Sequence, residues 1–314
     1  MRNELEVIRQ ELEKVIAGKS DVIGKVLTAL VADGHILLDD VPGVGKTTLA
    51  VAMGKTMDLC CRRIQFTPDV LPSDIVGFSM YDKESGAFVY RPGVVNGANL
   101  LLGDEINRTS SKTQSALLEA MEEKQVTVDG NTYPLEKPFL VIATQNRVGM
   151  AGTQALPCAQ MDRFMVCLTL GYPDYAAQMD MLRARQNGDP LSQTRRVIRR
   201  EDLLNMQQEA RQVQMKDSIL DYITRLCISS RSHAWIDVGI SPRGALHLQR
   251  VSQARAYAEG RDYVTAADVQ AMFHDVCAHR IVLSRKARAE GVTPGQALDA
   301  LLHDTANPDR GGEA

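Results

Sequence analysis

Aromatic residues are scarce: Phe, Trp and Tyr make up 5% of 314 positions, with a single Trp. So few flat rings argue against a stacking platform for single-stranded nucleic acid. An excess of positive charge is also missing. Lys and Arg total 36 against 39 Asp and Glu, a net charge of −3, so no nucleic-acid partner is expected. No run of 18 apolar residues occurs, so no transmembrane segment is expected. The first 20 residues mix Glu, Arg and Lys and lack the apolar stretch of a secretory signal. The six cysteines form no CxxC pair and no zinc spacing. They read as buried thiols in a reducing cytoplasm, not as a disulfide framework. What remains is 44% hydrophobic and 24% charged, an ordinary globular composition, and the length suggests about two domains.

The pattern along the chain predicts an α/β core. Leu5, Ile8, Leu12, Val15 and Ile16 fall at helical spacing, and a second helix is expected over 20–32. Five short apolar runs follow at 35–38, 60–66, 99–103, 139–144 and 164–170, each suited to a buried strand, with helices at 46–57 and 111–122. Such alternation predicts a parallel sheet between helices. Two β-hairpins, at 77–90 and 125–135, interrupt it and should project from the sheet. From residue 200 only helices are expected, near 201–213, 217–231, 242–259 and 265–281, two of them capped by Ser241 and Thr265. The expected division is an α/β core over 1–190, a small all-helical domain over 191–304 and a flexible tail over 305–314.

The chemistry concentrates at two strand ends. Asp40-Val-Pro-Gly-Val-Gly-Lys-Thr-Thr48 follows the first strand and opens a helix, the context that a phosphate-binding P-loop requires. Gly43 and Gly45 let backbone amides curl around phosphate oxygens, with Pro42, Val44 and Thr48 completing the loop. Lys46 would reach the β- and γ-phosphates and the Thr47 hydroxyl would coordinate Mg2+. The general pattern begins with Gly where this sequence has Asp40, whose carboxylate must therefore point away from the phosphates. The second strand end is Leu100-Leu-Leu-Gly-Asp104-Glu105. A strand adjacent to the P-loop strand would deliver Asp104 to the metal and Glu105 to the attacking water.

The segments Asp104–Glu123, Pro138–Asn146 and Leu156–Phe164 closely resemble the corresponding segments of MoxR-type AAA+ ATPases, and the similarity extends over about 10–280. The resemblance implies a five-stranded core with a small helical lid, and an ATPase that uses ATP and Mg2+. It further implies a ring, usually hexameric, with each site between two subunits. Family function is chaperone-like: maturing or activating client proteins, commonly with a separate partner that carries a von Willebrand factor A domain. By position Asn146 resembles sensor 1 and Arg163 the arginine finger acting on a neighbour's ATP, with Arg108 as competitor. Arg243 resembles sensor 2, reaching the γ-phosphate of its own subunit. Ile16 and Gly18 are placed at the adenine. The sequence departs from the family at Arg147–Ala151 and at Cys158, near the expected subunit boundary. A nucleotide-gated scaffold with slow hydrolysis therefore stands as the alternative. His274 and His279, five apart, are not placed on one face for a metal, and Trp235 is expected in the lid core.

Overall fold

The computed structural model describes residues 2–145, 156–186 and 188–308. Helices α1 (Asn3–Glu13) and α2 (Ser20–Val31) lead into β1 (Ile36–Asp39) and α3 (Lys46–Thr56). Then come β2 (Cys61–Gln65), α4 (Pro72–Val76) and the hairpin β3 (Phe78–Asp82) and β4 (Ala87–Arg91). After β5 (Leu100–Asp104) and α5 (Ser111–Glu123) follows the second hairpin, β6 (Gln125–Val128) and β7 (Asn131–Pro134). Strand β8 (Leu140–Gln145), the short α6 (Cys158–Met161), β9 (Val166–Leu168) and α7 (Tyr175–Gln186) close the core. The main sheet has the order β2-β5-β8-β1-β9 with all pairs parallel.

The sheet explains the apolar runs. Alternate residues of a strand point to opposite faces. Ile36, Leu38, Leu100, Leu102, Leu140 and Ile142 enter one hydrophobic cluster, while Leu37, Leu101, Val141 and Ala143 enter another. The first face is covered by α1, α2 and α3 through residues such as Leu12, Leu30 and Met53. The second is covered by α5 through Leu117, Leu118 and Met121. Strands β5 and β8 are buried at every position, but β2 is an edge strand with three of its five residues exposed. The reading of 60–66 as a buried strand is corrected accordingly: only Phe66, just past β2, is buried. Both hairpins form where expected, and Tyr90 of the first stacks on Tyr133 of the second at 3.9 Å.

Beyond α7, helices α8 (Arg200–Arg211) and α9 (Asp217–Ser232) are followed by β10 (Ile236–Val238) and α10 (Pro242–Ala258). Then come α11 (Ala266–Cys277), β11 (Val282–Leu283), α12 (Arg285–Ala289) and α13 (Pro294–Asp304). The capped starts form: the Ser241 hydroxyl accepts from the Gly244 amide, and Thr265 with Asp268 makes a capping box. One expectation fails here. The region is not purely helical, because β10 and β11 pair antiparallel. Two or three residues per strand are too few for periodicity to reveal. Trp235 is partly buried against the cluster.

The cysteine reading also needs correction. All six are free, yet Cys60 and Cys158 are exposed, one in the loop before β2 and the other opening α6. His274 sits beside Asp299 at 2.9 Å, and among the described residues no His, Cys, Asp and Glu group could hold a metal by itself.

Candidate active site

In a parallel sheet with crossover helices, ligands bind where the C-terminal strand ends meet helix N-termini. The P-loop leaves β1 at that edge. Gly43 and Gly45 take positive φ (83° and 96°), and Gly45 immediately precedes α3. Only glycine enters that region at no cost, so the loop can turn its amides inward. Lys46 Nζ donates to the carbonyls of Asp40 (2.9 Å) and Val41 (3.2 Å). Burial lowers the Lys46 pKa from its ordinary value, against the opposing pull of Asp40 and Asp104. The Asp40 carboxylate accepts from the amides of Val41 and Gly171, both at 2.8 Å. It is thus turned into the loop after β9, as the departure from the general pattern required.

The acid pair arrives on β5, which is not next to the P-loop strand as expected: β8 lies between β5 and β1, and the two carboxylates reach the loop across it. Asp104 ends β5 with its side chain 8% exposed, and the Thr47 hydroxyl reaches its Oδ2 at 3.4 Å. Two hard oxygen donors side by side suit Mg2+, whose remaining positions nucleotide phosphate oxygens and water would fill. Glu105 stands in the left-handed region (φ 55°), uncommon for a residue with a side chain, and its amide donates to the Thr144 hydroxyl at 2.9 Å. Ile16 packs in the core close to the loop: a Cβ on Gly45 would meet its Cδ1 at 3.3 Å. Gly18 (φ 70°) lies against α7, where an added Cβ would meet Ala177 Cβ at 2.5 Å. Asn146 lies outside the described residues, as does the departing segment 147–151.

Two residues on β2 join this site without having been singled out. Arg63 Nε lies 2.7 Å from Asp104 Oδ2, and Gln65 Nε2 lies 2.9 Å from Glu105 Oε2. Arg108 also reaches Glu105 Oε2 at 2.9 Å, so the competing finger candidate rests on its own subunit's acid. Nothing in the spacing of β2 marks Arg63 or Gln65. They matter because β2 is paired to β5 with Gln65 opposite Asp104.

The remaining arginines lie elsewhere. Arg163 comes just before β9, at the N-terminal ends of the strands. There it forms an ion pair with Glu122 at 3.1 Å, at the last turn of α5. Arg243, in the first turn of α10, pairs with the same Glu122 and lies 3.5 Å from Asp162. Both line a cleft of about 280 Å3 with Asp33, Lys124 and Arg250, and no P-loop residue takes part. The expectation that Arg243 reaches its own subunit's γ-phosphate is therefore corrected. The lid docks through α10 and α11 against α2 and β9, which carries Arg243 to the edge of the sheet opposite the loop. A five-residue strand spans about 13 Å, and the two arginines and the acid pair lie towards opposite ends of that span.

Residues 35–166 match the ATPase family associated with various cellular activities (AAA), and 228–301 match the AAA lid domain. The chain is 35% identical to Chaperone MoxR1 of Mycobacterium tuberculosis over 307 residues, covering 95% of this chain and 81% of that one. This chain belongs to the MoxR family of AAA+ ATPases. It is also 46% identical to YeaC of Bacillus subtilis, over 90% of this chain and 88% of the relative. Among solved structures, that of a candidate ATPase from Cytophaga hutchinsonii superposes with a TM-score of 0.89 at 39% identity. It covers 98% of this chain and 95% of the other. Family membership carries ATPase activity, with nucleotide and divalent metal, as the general property of the fold. No helix among the described residues is long and apolar enough to cross a membrane.

Proposed function

We propose that this MoxR-family chain hydrolyses Mg-ATP at a site completed by a second copy of itself, and uses the cycle to remodel protein clients. One observation carries the reading. The P-loop, Asp104 and Glu105 occupy the C-terminal edge of the sheet, while Arg163 and Arg243 converge at the N-terminal edge. Within one subunit these halves do not meet. Stacked head to tail, the arginine edge of one copy faces the phosphate edge of the next, and repetition closes a ring, for which a hexamer is the proposed size.

The roles follow from charge and reach. Lys46 and the loop amides hold the phosphates, Thr47 and Asp104 hold the metal, and Glu105 orients and deprotonates the attacking water. The metal supplies charge neutralisation at the phosphates when bound. Arg163 of the neighbour stabilises the charge that develops on the transferred phosphoryl, with Arg243 beside it in trans. Ile16 and Gly18 line the adenine side. The chaperone name of the Mycobacterium relative supports protein clients for this chain. A separate von Willebrand factor A-domain protein is the proposed partner.

Complementation tests the reading. Arg163→Ala should bind nucleotide but lose turnover, and Lys46→Ala should lose binding. A mixture restores activity, because an intact loop from the first mutant meets an intact arginine from the second. No recovery at any mixing ratio would sink the shared site. A scaffold with incidental hydrolysis predicts tight binding and no dependence of turnover per subunit on protein concentration.

A further inference from the structure

Asp104 has a positively charged partner from its own chain. Arg63 projects from the edge strand β2, half exposed at 53%, and places Nε 2.7 Å from Oδ2 of the buried Asp104 carboxylate. That is the same oxygen which the Thr47 hydroxyl approaches at 3.4 Å. The guanidinium is also tied onward. Its NH2 group donates to Gln65 Oε1 at 3.2 Å, and the Gln65 amide donates to Glu105 Oε2 at 2.9 Å. A chain of contacts therefore runs from the metal-binding acid to the water-activating acid through two side chains of β2.

We propose that Arg63 is a built-in counterion that competes with the divalent cation for Asp104, and that their exchange loosens the hold on Glu105. The proposal rests on the reading of Thr47 and Asp104 as the metal site. A divalent ion binding Oδ2 and a guanidinium donating to Oδ2 carry like charge to one atom, so each weakens the other's hold. Asp104 is fixed at the end of a buried strand, whereas Arg63 stands on an exposed edge and can swing into solvent. When it swings, Gln65 loses the donor that orients its amide. The Gln65 bond to Glu105 then loses its brace, leaving Arg108 as the charged contact at Oε2, and Glu105 is freer to turn toward water. In the same way Arg63 keeps Asp104 from being a buried, unpaired carboxylate before the metal arrives. Arg63 is in this account a positioning residue, acting through Asp104 and Gln65.

The test reads metal affinity directly, by Mn2+ electron paramagnetic resonance titration of the full chain with ADP. Removing a charge-assisted contact to a half-exposed arginine should tighten Mn2+ binding about fivefold in Arg63→Gln. Arg63→Lys, which keeps the charge but loses the planar fork, should fall between that variant and the parent. In turnover, the Mg2+ concentration for half-maximal rate should drop in Arg63→Gln. Unchanged or weaker Mn2+ binding in Arg63→Gln overturns the proposal, weaker binding showing that the arginine serves the phosphates instead. Asp104→Asn separates this from failure of the site itself. Loss of Mn2+ there with no change in Arg63→Gln overturns the competition alone. Undiminished Mn2+ binding in Asp104→Asn overturns the metal-site reading and the competition together.

Discussion

Asp162 joins the lid to the core, and deleting its carboxylate should release that joint. Its side chain is 15% exposed and accepts from Arg280 Nε at 2.9 Å. Both oxygens also receive the Ser241 hydroxyl at 2.9 Å. Arg280 is 1% exposed, and its other donors meet the carbonyls of Asp162, Phe164 and Met165 and the rings of His247 and His279. In Asp162→Ala the guanidinium stays buried without its carboxylate. Breaking a buried ion pair on one side costs about 3–5 kcal/mol. The carbonyl acceptors remain, which places the expected loss at the lower end, about 3 kcal/mol. Ser241 still caps Gly244, so α10 itself should persist. Urea unfolding followed by Trp235 fluorescence reports the lid, and far-ultraviolet circular dichroism reports the whole chain. The Trp235 transition should shift to lower urea ahead of the dichroism transition. Arg163 follows Asp162 directly and Arg243 lies beside it, so concentration-dependent hydrolysis should fall while nucleotide binding survives. A loss under about 1 kcal/mol would falsify the reasoning, because the carbonyls alone would then suffice for Arg280.

Three further outcomes are expected. His35 and His279 are buried and His247 is partly buried, all three held neutral, with His247 pushed down to about 3 by desolvation and by Arg280 beside it. The unfolded chain binds those protons first, so stability should fall as pH drops below about 6.5. His247 alone accounts for about 2 kcal/mol by pH 5. Denaturation midpoints against pH check this, and an unaltered slope in His247→Gln would contradict it. Gly18→Ala forces a side chain into the left-handed region and against Ala177, costing about 2 kcal/mol and weakening ATP-analogue binding, whereas Gly24→Ala meets open space and should be neutral or slightly stabilising. Glu105→Gln should bind ATP at parental affinity with turnover reduced at least a hundredfold in a phosphate-release assay; parental turnover removes Glu105 as the base.

The parts that sequence revealed are those whose physics is local. Leu100–Leu102 and Leu140–Ile142 are apolar at every position because both faces of the sheet are covered, and the Gly43 and Gly45 turn announces itself by residue type. Asp40 could be assigned away from the phosphates by charge alone, and it bonds the Val41 and Gly171 amides. What was hidden depends on which strand lies beside which. Arg63 and Gln65 look like ordinary edge-strand residues until β2 is set against β5. Arg243 is similar to a sensor by its motif, but where the lid docks decides which site it can serve, and that is settled by packing among α2, α10, α11 and β9. Roles carried by Asn146 lie outside the described residues.

The two opposed edges of the sheet also set a counting rule for any assembly built on them. If one edge gives and the other receives, a linear row of copies always leaves one giver and one receiver idle, however long it grows. Closing the row on itself removes both loose ends in a single step. Turnover per subunit should therefore rise with length and gain a last increment at closure, so that a capped, unclosable row would remain slower than the circle of equal size. The same asymmetry gives the circle a direction: each copy answers to the neighbour on one side and governs the neighbour on the other.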